Sequence, residues 1–147
     1  MTHGADTSFL VAVEVVEHAQ HGDALRVLND LLDNHDRVAL ARQVLAEFVH
    51  VVTDARRFQR PFSMEIALDK SGRWWNAAET DQVFPTDVAV ARFHEWMWRH
   101  QIGRKRVLDT FLAATYRVAG VTSLLTLNSE DFAVFGEFAC VALTTTP

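Results

Sequence analysis

The chain has 147 residues, 49% of them apolar and 22% charged, with a formal net charge of −5. The length favours a single domain, 1–147, with its own core, and the balance of apolar to charged residues excludes a disordered chain. The negative charge excludes a general attraction to nucleic acid, so any such binding depends on a local basic patch or on metal. No run approaches the roughly 20 apolar residues needed to cross a bilayer. The start, Met1 to Asp6, lacks the charged and hydrophobic regions of a leader, so a cytoplasmic location with no membrane association is expected. Cys140 is the single cysteine; it lies in an apolar run, is expected in the core, and has no partner for an internal disulfide.

In chain order, a short first strand is expected to hand over at Asp6 to a helix from Phe9 to His18. Val38-Ala39-Leu40-Ala41 reads as a short buried strand, and Val44, Leu45, Phe48, Val49 and Val52 follow at helical spacing. Ser63 and Thr86 are placed to cap helices near 64–77 and 87–101, the second carrying a stripe of Ala89, Phe93, Trp96 and Met97. A helix from Leu108 to Ala119 ends at Gly120, and Ser123 to Leu127 reads as the next buried strand. A last strand is expected from Ala139 to Leu143. Strands alternating with helices define the α/β class, with a mainly parallel sheet covered on both faces as an α/β/α sandwich. There is no repeat, low-complexity tract or linker rich in Pro, Gly or Ser.

On this scaffold the acidic residues fall at one edge of the sheet. Asp6 follows the first strand, and Asn128 and Asp131 follow the strand Ser123–Leu127, where open α/β sheets bind their ligands. Glu47 stands at the border of its helix's apolar face, and Asp109 occupies the first turn of its helix. Taken singly, each has an ordinary role: Asp6 as a helix cap, Glu47 as a solvated glutamate, Asp109 as a partner of the helix dipole, Asp131 as a turn residue. Their joint placement is what points to chemistry. Converging carboxylates repel one another, and hard oxygen donors select Mg²⁺ or Mn²⁺ over zinc, which suggests phosphodiester hydrolysis.

The residues around these acids resemble a known family. Asp6-Thr7-Ser8-Phe9-Leu10 resembles the opening Asp-Thr-Asn/Ser motif of PIN domains, and Leu45-Ala46-Glu47-Phe48 resembles their helix-borne glutamate. Asp109-Thr110-Phe111-Leu112-Ala113-Ala114 is similar to the family's Asp-x-x-x-Ala-Ala helix, followed at typical spacing by Leu125 to Phe132. The resemblance covers nearly the whole chain and is greatest to VapC-type toxins of toxin–antitoxin modules. It implies a metal-dependent ribonuclease, a homodimer, an RNA substrate and a VapB-like antitoxin partner. Asp6, Glu47 and Asp109 would form the metal core, with Asn128 and Asp131 in secondary positions.

Two departures from the family pattern carry expectations of their own. Residues 1–5 lack the family's large apolar side chains, which predicts a poorly specified first strand and a loosely held Asp6. The Thr-x-Asp pattern of relatives becomes Thr126-Leu127-Asn128, and a neutral amide oxygen is a weaker ligand than a carboxylate for a hard cation. Thr7 and Ser8 are expected to hold a carboxylate or a bound water in place, or else to form a turn at the helix start.

For the substrate, Arg104-Lys105-Arg106 read either as contacts to RNA phosphates or as a solvated loop, and Arg56, Arg57 and Arg60 form a second basic cluster. Trp74, Trp75, Trp96 and Trp98 are expected in the core or at a partner interface rather than stacked on bases. His50 is read as a bystander. Two rival α/β enzymes fail on residues: Ser8 stands where a haloacid dehalogenase phosphatase needs a second aspartate, and Leu124 to Asp131 lacks the lysine of a receiver domain. No phosphate-cradling glycine loop is present. The alternative from another class is a catalytically weak PIN-like module that binds RNA or protein.

Overall fold

The structure, a computed structural model, describes residues 1–143. In chain order it runs β1 (Thr2–Ala5), α1 (Thr7–Glu14), α2 (His21–Asp33), β2 (Arg37–Ala41), α3 (Arg42–Val52), α4 (Met64–Asn76), β3 (Thr80–Val83) and α5 (Asp87–Arg99). A 3-10 turn (Arg104–Arg106) then leads into α6 (Val107–Val118), β4 (Ser123–Leu125), α7 (Ser129–Ala133) and β5 (Ala139–Cys140). The strands pair in the order β3-β2-β1-β4-β5, all parallel, and helices flank the sheet. The chain steps outward from β1 to β3 and then returns to pair β4 on the other side of β1. That reversal leaves a crevice beyond the carboxyl ends of β1 and β4.

The strand expected to be poorly specified is the centre of the sheet. β1 is short of bulk because bulk comes from elsewhere: the fully buried Tyr116 of α6 lies over Gly4, where an added Cβ would meet the ring at 2.8 Å. The Tyr116 hydroxyl donates to the Ala5 carbonyl at 2.5 Å and accepts from the Ala41 N–H at 3.2 Å, tying the ends of β1 and β2 together. The polar His3 is buried but satisfied, with Nδ1 at 2.7 Å from Ser123 Oγ and Nε2 at 3.2 Å from Asp36. A buried polar side chain with both nitrogens paired avoids the usual desolvation cost.

The helices depart from expectation mainly at their ends. α1 stops at Glu14, four residues before the predicted His18, where the β-branched Val15 and Val16 favour extended backbone. Ser63 and Thr86 cap α4 and α5 through hydrogen bonds to Ile66 and Ala89. α6 closes with Gly120 in the left-handed region (φ 86), its N–H bonded to Arg117 and the Val121 N–H to Tyr116, the paired bonds of a Schellman end. α2 and β3 were not anticipated from sequence. α2 buries Ala24, Val27 and Leu31, a stripe at ordinary helical spacing, whereas β3 is a polar edge strand in which only Val83 is buried.

At the carboxy-terminal side β4 ends at Leu125, two residues early, because the Thr126 side chain turns the chain by accepting the Asn128 N–H. β5 has two residues in place of the predicted five, and Cys140 on it is half-buried at the sheet edge instead of in the core. Of the tryptophans, Trp96 is buried and stacks on Phe135 at 4.4 Å, Trp74 and Trp75 pack partly against the core, and Trp98 is 80% exposed.

Candidate active site

Asp6 is built into the N-terminus of α1. Its carboxylate caps the helix by accepting the Phe9 N–H at 3.1 Å, and it also accepts from Ser8 Oγ at 2.6 Å and Thr126 Oγ1 at 2.5 Å. The side chain is 7% exposed, and burial raises its pKa although each of these hydrogen bonds works to lower it. The expected looseness at this position is therefore absent, and the helix cap and the site position are the same residue. The Ser8 hydroxyl in turn accepts the Leu127 N–H at 3.0 Å, so the β1 and β4 ends close on one another through side chains.

Glu47 lies on α3, whose Val44, Phe48 and Val52 are buried, leaving the glutamate at the helix border. Thr7 Oγ1 donates to Glu47 Oε2 at 2.8 Å and joins α1 to α3. Asp109 stands in the first turn of α6. Burial pushes its carboxyl up from 3.8 to about 6, reinforced by the charges of Asp6, Asp131 and Glu47 and offset in part by Arg106. These carboxylates thus feel one another across a shared space.

That space is a cleft of about 470 Å³ at the crevice between β1 and β4. Asp6, Thr7, Ser8, Glu47, Asp109 and Asn128 all line it. Asp131 does not line it, although its charge reaches Asp109; it stands on α7, where Arg106 donates to its backbone carbonyl and approaches its carboxylate at 3.7 Å. Arg106 is in this way committed to α7, while Arg104 and Lys105 are exposed. Of the second basic cluster, Arg57 lines the cleft, and both Arg56 and Arg57 pair with Asp54.

Sequence reading missed several further participants. Thr126 carried a recognisable signal, a hydroxyl residue two before Asn128, but its grip on Asp6 comes from pairing β4 beside β1. Val11, His18 and Phe58 also line the cleft. Val11 was legible as the residue one turn beyond Thr7; His18 and Phe58 sit in loops with no periodicity to mark them.

Among the described residues, no three His, Cys, Asp or Glu side chains stand close enough together to hold a metal ion as placed. The acids ring the cleft instead of touching. The donor set nevertheless fits a hard divalent cation: carboxylate and amide oxygens, no sulfur ligand, and a negative charge that Arg106 only partly offsets.

A parallel sheet with carboxylates at its switch point defines the class, an open α/β protein with an acidic cleft. The PIN domain family model matches residues 5–137, and the chain belongs to that family. Its fold is similar to Mycobacterium tuberculosis VapC20, a Sarcin-Ricin loop cleaving toxin, with a TM-score of 0.73 at 20% identity over 95% of this chain and 97% of that one. It is similar also to VapBC2 from Rickettsia felis, solved bound to a DNA fragment from its promoter (TM-score 0.68, 15% identity, 96% and 98% covered). A third is VapBC-1 from nontypeable Haemophilus influenzae (TM-score 0.67, 17% identity, 99% and 100% covered). No curated protein sequence matches the chain significantly.

Proposed function

We propose that the chain is a divalent-metal-dependent endoribonuclease of the VapC type, acting as a single domain in a homodimer and restrained by a VapB-like antitoxin. The observation that carries this reading is the meeting of Asp6, Glu47, Asp109 and Asn128, from four separate elements, around one cleft in a PIN domain. Asp6, Glu47 and Asp109 would hold Mg²⁺ or Mn²⁺, with Asn128 adding a neutral oxygen. Such a cation, when bound, polarises a phosphate and lowers the pKa of an attacking water.

The chain's own residues prepare that site. Ser8, Thr126 and the Phe9 N–H fix the Asp6 carboxylate and favour its charged form, and Thr7 fixes Glu47. Asp109 keeps its proton up to about pH 6 while the cleft holds no counter-charge, and releases it when positive charge arrives. Arg57 at the cleft and the exposed Arg104 and Lys105 supply cations for the RNA backbone that the net charge of −5 denies.

The partner reading draws support from neighbours solved as toxin–antitoxin complexes and from exposed apolar side chains such as Met64 and Leu68 on α4 and Trp98 on α5. Purified protein with Mn²⁺ or Mg²⁺ is expected to cut single-stranded RNA and to stop in EDTA. Cleavage that persists undiminished in Asp109→Asn would overturn the assignment. Pull-down from the source cell is expected to recover a small DNA-binding protein at fixed stoichiometry.

A further inference from the structure

We propose that the far half of the cleft is a nucleobase subsite, in which the Phe58 ring and the His18 imidazole hold one unpaired base of the RNA beside the scissile phosphate. The inference rests on the nuclease reading and adds to it the feature of the substrate that the site recognises.

The cleft continues beyond its acids along two helices. Val11 lies one turn past Thr7 on α1, and Val51 one turn past Glu47 on α3; both line the cavity. Four residues of helix rise about 6 Å, so the wall changes from carboxylate to apolar within roughly one nucleotide of the site. Apolar walls repel a metal ion or a phosphate and accept the face of a base.

Phe58 and His18 line the same cavity, and the loops that carry them are tied together by the Glu17 side chain. The Glu17 carboxylate, next to His18, accepts the backbone N–H groups of Gln59 at 3.1 Å and Arg60 at 3.0 Å, next to Phe58. Two loops far apart in sequence are thereby fastened together before any ligand arrives. Such preorganisation spares the ordering cost of binding.

The imidazole is prepared as a hydrogen-bond donor. His18 Nδ1 accepts the Gln20 N–H at 3.0 Å, which assigns the proton of the neutral ring to Nε2. Burial, and then the charge of His21, lower its pKa, so the ring is neutral at pH 7 and offers one N–H without adding charge. Arg57, the neighbour of Phe58, lies at the same end and can meet an adjoining phosphate. Together these residues give one stacking surface, one donor and one cation, the complement of a single splayed nucleotide.

The test begins by mapping the cut in a short RNA and then removing the base at each flanking position in turn, leaving the sugar and phosphate. Wild-type protein is expected to lose about 10–100-fold in rate when the base beside the cut is absent. Phe58→Ala is expected to cut intact and abasic RNA at one common reduced rate, and Phe58→Tyr to restore discrimination. Equal cutting of all abasic RNAs by wild type, or full discrimination by Phe58→Ala, would overturn the subsite. A wild type that cuts no RNA sinks the nuclease reading instead. The subsite is then decided by titrating adenosine, guanosine, cytidine and uridine, which carry no phosphate. Saturable NMR shifts at His18 and Phe58, lost in Phe58→Ala, support it, and no shift with any of the four refutes it.

Discussion

The Tyr116 hydroxyl donates to the Ala5 carbonyl at 2.5 Å, one residue before Asp6, and receives the Ala41 N–H at 3.2 Å. Tyr116 lies two turns past Asp109 on α6, and Ala41 immediately precedes α3, which carries Glu47. One buried phenol thus braces three elements that bring acids to the cleft. Tyr116→Phe keeps the ring over Gly4 but strands two backbone groups, at a cost of roughly 1–3 kcal/mol. Urea unfolding should show that loss, and cleavage should fall about tenfold through kcat.

Asp109 makes the metal-free protein sensitive to pH. Its carboxyl is raised from 3.8 to about 6, first by burial and then by Asp6, Asp131 and Glu47. A proton held more tightly in the folded chain gives stability that is complete below pH 3.8 and lost as pH rises through about 6. Discounted for its partial exposure, the effect is on the order of 1–2 kcal/mol. In EDTA, the unfolding free energy is expected to drop between about pH 4 and about pH 6.5 and to level off above it. Asp109→Asn should flatten that fall, and saturating Mn²⁺ should reverse it by favouring the ionised form.

Thr126 would act on a bound cation through Asp6. Thr126→Val removes the hydroxyl that donates to the Asp6 carboxylate and accepts the Asn128 N–H. The Mn²⁺ concentration for half-maximal cleavage is expected to rise about 10–100-fold, the usual cost of losing a residue that orients a ligand. Thr126→Ser retains the hydroxyl and should stay within a few fold of wild type.

Gly4→Ala tests the packing under the site. The new methyl would stand 2.8 Å from Tyr116 Cδ2 and 3.1 Å from Leu124 Cδ2, in the middle of the sheet. Overpacking of this kind costs typically about 1–3 kcal/mol, so the melting temperature should drop by several degrees. An unchanged melting temperature would show that the ring can move aside.

What the sequence revealed follows from where the physics is local. The apolar runs of β2 and β4, the caps Ser63 and Thr86, and the left-handed Gly120 are each decided within a few residues, and they were legible. β1 was misjudged because its small residues make sense only beneath Tyr116, which is 111 positions away. β3 stayed hidden because a polar edge strand has no buried face to set a period of two. The acids were legible because strand ends and helix borders predict where a side chain goes. Asp131 was less so: its position outside the cleft depends on Arg106, whose grip no spacing rule announces. His18 and Phe58 lie in loops joined through Glu17, a contact that exists once both helices have packed.

The pairing of β4 beside β1 has a consequence for synthesis. Thr126 reaches Asp6 across 120 positions, and the residues between them supply β2, β3 and β4. A ribosome that has released only the first hundred residues therefore carries a chain with Asp6 and Glu47 but neither Asp109 nor the strand that completes the crevice. Any activity of this cleft must await synthesis through Thr126, and nascent fragments that stop short of it lack the completed crevice.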